Sequence, residues 1–77
     1  MGRIPVKPPR EVIRAFEKAG YRIVRQTGGH IRLRHPFDTN KRPLTIPNHT
    51  VVKPGLLARA IKDAGLSLDE FIALLNS

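Results

Sequence analysis

The sequence predicts a small α+β domain in which helices cover one face of a three-stranded antiparallel sheet, in the order α-β-β-β-α-α. Apolar residues recur at helical spacing near both ends of the chain, whereas strand-forming residues fill its middle. The pair Gly28-Gly29 separates two strand-like segments by the length of a tight hairpin loop. The 77 residues suit one domain, which we place over residues 1–77 with residues 1–8 as a short arm.

The first helix is predicted over Arg10–Ala19. Pro9 suits its first turn, because the N–H that proline lacks would have no partner within the helix. Gly20 suits the position just after the helix, where the backbone often turns left-handed. The apolar residues at helical spacing are Val12, Ile13 and Phe16.

Three strands are predicted in the middle of the chain. Thr27-Gly28-Gly29 turns the first strand back on the second, which makes a hairpin. Pro43 and Pro47 place the third strand at an edge of the sheet, because proline cannot donate a hydrogen bond to a neighbouring strand. The predicted strands are Tyr21–Gln26, His30–His35 and Arg42–Pro47.

Two further helices are predicted after a linker. The second helix spans Gly55–Ala64 and ends at Gly65. Ser67 caps the third helix, and Glu70 completes a capping box three residues later. The apolar side chains expected in the core from this half of the chain are Leu44, Ile46, Leu57, Ile61, Phe71 and Leu74.

The second strand alternates between apolar and polar residues. Because strand side chains point to opposite faces in turn, Ile31 and Leu33 should enter the core. His30, Arg32 and Arg34 should then lie together on the face that the helices leave free. A titratable imidazole in line with two guanidinium groups suits phosphodiester cleavage, and it also suits a plain basic binding surface.

The charge is strongly positive and unevenly distributed. Fourteen basic and six acidic residues give a net charge of +8 and a pI near 11.2. The segment 20–53 holds seven basic residues and Asp38 alone among acidic ones, so it carries most of this charge. Such asymmetry indicates a polyanionic partner, most often nucleic acid, although a solvated basic surface without a ligand has the same composition.

Several site classes are disfavoured by composition. The chain has no cysteine, so it forms no disulfide and has no thiolate metal site. Three scattered histidines do not make a zinc site, and we expect neither a metal nor a cofactor. No apolar run approaches membrane-spanning length and Met1–Arg10 has no apolar signal core, so we expect a cytoplasmic protein without a membrane partner.

Three blocks of sequence are together typical of one family. The first is Ala19-Gly20-Tyr21, and the second is Gly28-Gly29-His30 with a strand that ends in His35-Pro36. The third comprises Ile46-Pro47-Asn48-His49, Lys53-Pro54-Gly55-Leu56-Leu57, Ile61 and Ala64-Gly65-Leu66. With these blocks in order, the chain resembles the HicA toxins of bacterial and archaeal toxin–antitoxin pairs, also called YcfA-like proteins.

The resemblance implies a fold similar to the double-stranded-RNA-binding domain. It implies an mRNA interferase, which is a ribonuclease that degrades messages and arrests growth, and a partner antitoxin, HicB, that covers the active site. The family's catalytic histidine falls on His30. Gly29 stands where many relatives carry serine, so no side-chain hydroxyl acts at that position.

These observations predict a metal-independent endoribonuclease in which His30 is the acid or base. Arg32 and Arg34 are the predicted RNA-binding side chains, and Gly28 and Gly29 let the backbone approach the RNA closely. A non-catalytic RNA-binding module is the main alternative. A DNA-binding domain is disfavoured, because nothing in the sequence reads as a recognition helix.

The other two histidines are predicted to be structural. His35 lies five residues from His30, an odd offset that places it on the opposite face of a regular strand, where it should pack or hydrogen-bond near Pro36. His49 lies in the linker, where it is a lesser candidate for a second acid or base. Tyr21 is expected in the core or at its rim. The chain has one tyrosine, three phenylalanines and no tryptophan, so base stacking is not the main binding mode.

Overall fold

The computed structural model describes residues 4–48 and 50–77. It confirms the α+β class and the predicted order of elements, and each predicted boundary lies within two residues of the observed one. The elements are α1 (Pro9–Lys18), β1 (Arg22–Thr27), β2 (His30–Arg34), β3 (Leu44–Pro47), α2 (Pro54–Asp63) and α3 (Leu68–Asn76).

Local signals determine where the helices begin. Pro9 and Pro54 occupy the first turns of α1 and α2. At α3 the predicted capping box is confirmed: the Glu70 N–H donates to the Ser67 hydroxyl oxygen at 3.0 Å, and the Ser67 N–H donates to the Glu70 carboxylate at 2.7 Å. Hydrogen bonds from Ser67 hold the pKa of the Glu70 carboxyl below its ordinary value, and the bond from the Ser67 backbone N–H has the largest effect.

The junction between α1 and β1 requires a glycine. Gly20 has φ of 106°, a left-handed conformation that side chains with a Cβ rarely adopt. A Cβ at this position would also lie 2.5 Å from Nε2 of His35. The chain therefore turns sharply here, and the ring of His35 fills the space beside the turn.

The sheet is antiparallel throughout, with the order β1-β2-β3. The two-residue loop Gly28-Gly29 joins β1 to β2, and Gly28 takes φ of 41°. β3 lies at an edge, as Pro43 before it and Pro47 at its end predict. The loop before β3 is tied to the end of α2, because Lys41 Nζ donates to the Ala64 carbonyl at 2.8 Å and the Arg42 N–H donates to the Asp63 carbonyl at 3.0 Å.

The core lies between the helices and one face of the sheet. Phe16 of α1 packs against Phe71 of α3, with ring centroids 5.0 Å apart. Of the predicted core side chains, Leu74 is only partly buried and packs against the edge of the cluster. The buried apolar residues are Val12, Ile13, Ala15, Phe16, Tyr21, Ile31, Leu33, Leu44, Ile46, Val52, Leu57, Ala60, Ile61, Ala64 and Phe71.

Tyr21 is a core residue, as expected, and its phenol has a specific partner. The hydroxyl donates to the Arg42 carbonyl at 2.7 Å. Burial raises the pKa of this phenol, and the negative charges of Asp63 and Asp38 raise it further. The ring is therefore unavailable for stacking on a nucleobase.

The described part of the predicted arm is attached to the domain. Lys7 forms an isolated antiparallel bridge with Val52, whose N–H donates to the Lys7 carbonyl at 2.9 Å. Ile4 packs against the core cluster from outside. Residues 4–8 thus run along the domain surface beside the segment that leads into α2.

Candidate nucleic-acid interface

The candidate interface is the face of the sheet that the helices do not cover, here called the outer face. Along β2 the exposure alternates strictly: Ile31 and Leu33 are buried, whereas His30, Arg32 and Arg34 are exposed. This confirms the alternation predicted from the sequence. The imidazole and the two guanidinium groups therefore extend from the same face of one central strand.

Strand pairing adds two arginines that the sequence analysis missed. Arg25 of β1 lies opposite Arg32, and Arg22 lies opposite Arg34. Arg22 and Arg25 are three residues apart, so a regular strand would place them on opposite faces. A bulge at Val24 shifts the register by one residue and returns Arg25 to the outer face. Nothing in the local sequence marks this bulge.

The arginines of the outer face have no carboxylate partners within residues 4–48 and 50–77. The ion pair found in that part of the chain joins Lys7 to Glu11 at 3.9 Å, outside the sheet. Arg22 is held by main-chain oxygens, since its Nη1 donates to the Tyr21 carbonyl at 2.8 Å. Like charges directly opposite each other on a sheet are destabilising, on the order of a few tenths of a kcal/mol for exposed pairs.

Two shallow depressions lie among these side chains. Both are open to solvent, and Val24, Arg34 and Pro43 contribute to both. The first has a volume of about 320 Å³ and is lined by Val24, Arg25, Arg32, Leu33, Arg34 and Pro43. The second has a volume of about 450 Å³ and is lined by Arg22, Val24, Arg34, His35, Pro36, Thr39, Lys41 and Pro43.

His30 is the first residue of β2, directly after the hairpin loop. Both depressions include Arg34, the last residue of the same strand. The cross-strand neighbours of His30 are Thr27 of β1 and Pro47 of β3, neither of which is an acid or base near neutral pH. The Asn48 N–H donates to the Gly29 carbonyl at 2.7 Å, which fixes the end of β3 beside the loop. The imidazole is exposed and lines neither depression.

The hairpin loop leaves its surroundings open. A Cβ built on Gly28 would meet no other atom within 4 Å, although its φ of 41° still favours glycine. Gly29 follows in the same loop and precedes His30 directly. A ligand can therefore approach the main chain closely at Gly28, two residues before His30.

The second histidine has a structural position. His35 lies just past the last residue of β2, where its Nδ1 accepts hydrogen bonds from the N–H groups of Phe37 at 3.3 Å and Asp38 at 3.1 Å. Its ring packs edge-on against Tyr21, with centroids 5.5 Å apart. The predicted hydrogen bonding near Pro36 is thus confirmed. His49 lies outside the described residues.

Phe37 lies beside this loop and is a large apolar side chain that is 88% exposed.

The described residues contain no group of three or more histidine, aspartate or glutamate side chains that is placed to hold a metal ion. None of the helices in the described ranges has the length and apolar character needed to cross a bilayer.

Comparison with known proteins places this chain in a family. A family model described as the HicA toxin of bacterial toxin–antitoxin matches residues 9–66. The chain belongs to the HicA toxin family. A search of curated proteins finds no match. The matched span begins at α1 and ends just after α2, so it contains the whole outer face, whereas α3 lies beyond it.

Membership of the HicA family supports a toxin role within a toxin–antitoxin system. It also confirms the family resemblance drawn from the three sequence blocks, since His30 and the blocks on either side of it fall inside residues 9–66. The four arginines of the outer face and His30 all lie within the span that matches the HicA family.

Proposed function

We propose that this HicA toxin is a metal-independent endoribonuclease, an mRNA interferase, in which His30 is the catalytic residue. The observation that carries the proposal is the line of His30, Arg32 and Arg34 on a sheet face that no helix covers. Arg25 and Arg22 widen this line into a basic surface. The surface combines an acid–base group with positive charge that the described carboxylates leave unpaired.

The chemistry uses a nucleophile that RNA itself supplies. The ribose 2′-OH attacks the adjacent phosphorus, the bond from phosphorus to the 5′-oxygen breaks, and the products are a 2′,3′-cyclic phosphate and a 5′-hydroxyl. One proton leaves the 2′-OH and one proton joins the 5′-oxygen. An imidazole can remove the first or supply the second near neutral pH. His30 performs one of these transfers, and water is available at this exposed site for the other.

The arginines bind the RNA backbone and stabilise the charge that builds on the phosphate during attack. Arg32 lies two residues from His30 on the same face, roughly 7 Å along the strand. The open space around Gly28 allows the RNA to approach the loop that precedes His30, and Gly29 adds no side chain to that loop. No residue in this scheme requires a metal ion, so cleavage should continue in EDTA.

The partner of this toxin is proposed to be a HicB-like antitoxin that covers the outer face. Family membership implies an antitoxin in general. The unpaired arginines favour a partner that presents acidic side chains to this surface. Such a partner would block RNA by occupying the same positive charges.

A non-catalytic RNA-binding module remains the second candidate, and one observation favours it. The strand neighbours of His30 are a threonine and a proline, so no second acid or base adjoins it on the sheet. The same basic surface would bind RNA without cleaving it. Cleavage by the purified protein discriminates between the two functions.

The decisive experiment compares the parent protein with His30→Ala on an RNA transcript in EDTA. Loss of the acid–base group should slow cleavage by roughly a hundredfold or more. Because the imidazole is exposed, the melting temperature should stay within a few degrees of the parent value. In cells, the variant should no longer arrest growth.

Two controls accompany this comparison. His35→Ala should lower the melting temperature, because it removes an acceptor for two N–H groups and a ring that packs on Tyr21, yet it should keep most of the cleavage activity. A substrate with 2′-deoxyribose throughout should resist cleavage, because it lacks the nucleophile. Cleavage that persists in His30→Ala, in protein free of contaminating nuclease, would overturn the catalytic assignment.

A further inference from the structure

The pair of arginines that the bulge brings together is the feature of the outer face that packing and stability do not explain. In a regular strand, Arg25 would have pointed away from Arg32. The bulge at Val24 instead places two exposed guanidinium groups directly opposite each other. The described carboxylates form no ion pair with either group, so their mutual repulsion is not offset within that part of the chain.

The surroundings of this pair resemble a small binding site. The first depression, about 320 Å³, lies at the lower end of the size range of small-molecule sites. Arg25, Arg32 and Arg34 form its charged sides, while Val24 and Pro43 are exposed apolar groups on its surface. A phosphate would bring Arg25 and Arg32 together, and an apolar surface beside a guanidinium plane suits the face of a nucleobase.

We propose that this depression binds one nucleotide of single-stranded RNA, with its phosphate held between Arg25 and Arg32. The inference rests on the proposed function and deepens it, because it names the nucleotide site that lies next to the reacting bond. Arg32 is two residues from His30 along β2, so the site is roughly one nucleotide step from the imidazole. An unpaired strand is required, since a base stacked within a duplex is not free to enter the depression.

The test measures RNA binding apart from cleavage. In the His30→Ala background, binding of a fluorescent single-stranded oligoribonucleotide is followed by anisotropy as salt is raised, with and without Arg25→Gln. Loss of one phosphate contact should reduce the slope of log K against log salt by about 0.7. At low salt the affinity should fall by roughly tenfold. Arg14→Gln, an exposed arginine on α1 with the same change of charge, is the matched control and should change both quantities much less.

A second measurement separates binding from a structural role. Arg25→Gln removes the repulsion opposite Arg32, so its melting temperature should rise by about 1–3 °C while its RNA affinity falls. A lower melting temperature together with weaker binding would mean that Arg25 acts through the fold, and this would overturn the proposal. Binding and salt dependence indistinguishable from those of Arg14→Gln would also overturn it.

The substrate class has its own comparison. Arg25→Gln should weaken binding of the single strand more than binding of a duplex of the same sequence. An equal loss for both would overturn the nucleotide site. If the parent protein fails to cleave RNA, the proposed function fails, but these binding measurements in the His30→Ala background still decide whether the site exists.

Discussion

The two faces of the sheet are built from the same strands and follow opposite rules. On the inner face, Ile31, Leu33, Leu44 and Ile46 are at most 5% exposed and pack beneath the helices. On the outer face, guanidinium groups lie opposite guanidinium groups with no carboxylate partner among the described residues. The difference indicates that the inner face provides the stability of the domain, whereas the outer face carries the surface that we propose for binding.

Magnitudes support this division. Burial of a leucine or isoleucine side chain contributes about 1.5–3 kcal/mol, and four such side chains line the inner face. Each like-charge pair on the outer face costs on the order of a few tenths of a kcal/mol. The inner face thus stabilises the sheet enough for the outer face to retain repulsive pairs, as the proposed binding of a polyanion requires.

The largest expected effect on stability comes from truncating a buried side chain of the inner face. Leu33 is fully buried in the central strand, so Leu33→Ala should lower the free energy of unfolding by about 2–5 kcal/mol. Its neighbour Arg32 is exposed, and Arg32→Ala should leave that free energy nearly unchanged or slightly raised. Urea denaturation of both variants measures the difference, and comparable losses would contradict the division between the faces.

A smaller effect is expected on antitoxin binding when positive charge is removed from the outer face. Replacing Arg32 and Arg34 together by alanine should weaken binding of the cognate antitoxin by at least about tenfold, because both guanidinium groups lie on the surface that it is proposed to cover. Titration calorimetry measures the affinity, and Arg14→Ala on α1 is the control. If the complex forms equally well, the antitoxin binds elsewhere and inhibits indirectly.

The smallest effect concerns the buried phenol at the edge of the inner face. Burial raises the pKa of Tyr21 above its unfolded value, with Asp63 and Asp38 adding to the shift. The protonated phenol therefore contributes stability that is fully present below about pH 10 and is lost as pH rises through the higher folded pKa. Tyr21→Phe lacks both this contribution and the hydrogen bond to the Arg42 carbonyl.

The measurement is the free energy of unfolding of Tyr21→Phe and the parent between pH 8 and 11. The parent should be the more stable protein at pH 8, by about 1 kcal/mol, and the gap should narrow as pH rises. If the two free energies of unfolding change with pH in parallel, the pKa of the phenol is the same in the folded and unfolded protein, and the prediction is wrong.

Much of the fold was predictable because its signals are local. Alternation along β2 identified both faces of that strand, and Ser67 with Glu70 marked the start of α3 three residues apart. Pro43, just before β3, and Pro47, its last residue, correctly indicated an edge strand. The end of β2 was placed one residue late, at His35, because that residue instead accepts hydrogen bonds from the loop that follows.

The candidate site was predictable only in part. His30, Arg32 and Arg34 follow from period-two alternation within one strand, which depends on the chain alone. Arg25 could not be assigned to the same face, because its direction depends on the bulge at Val24 and on pairing with Arg32 across the hairpin.

The amino-acid order settles the class of fold, the inner and outer sides of the central strand and the surplus of positive charge, because propensity, periodicity and composition act over a few residues at a time. Tertiary packing settles which charges meet. With the bulged register of β1 against β2, Arg25 lies opposite Arg32 while Arg22 lies opposite Arg34. A shallow depression lies beside Arg25 and Arg32. Such pairing is a property of two strands in contact, and therefore it exists only once the sheet has formed.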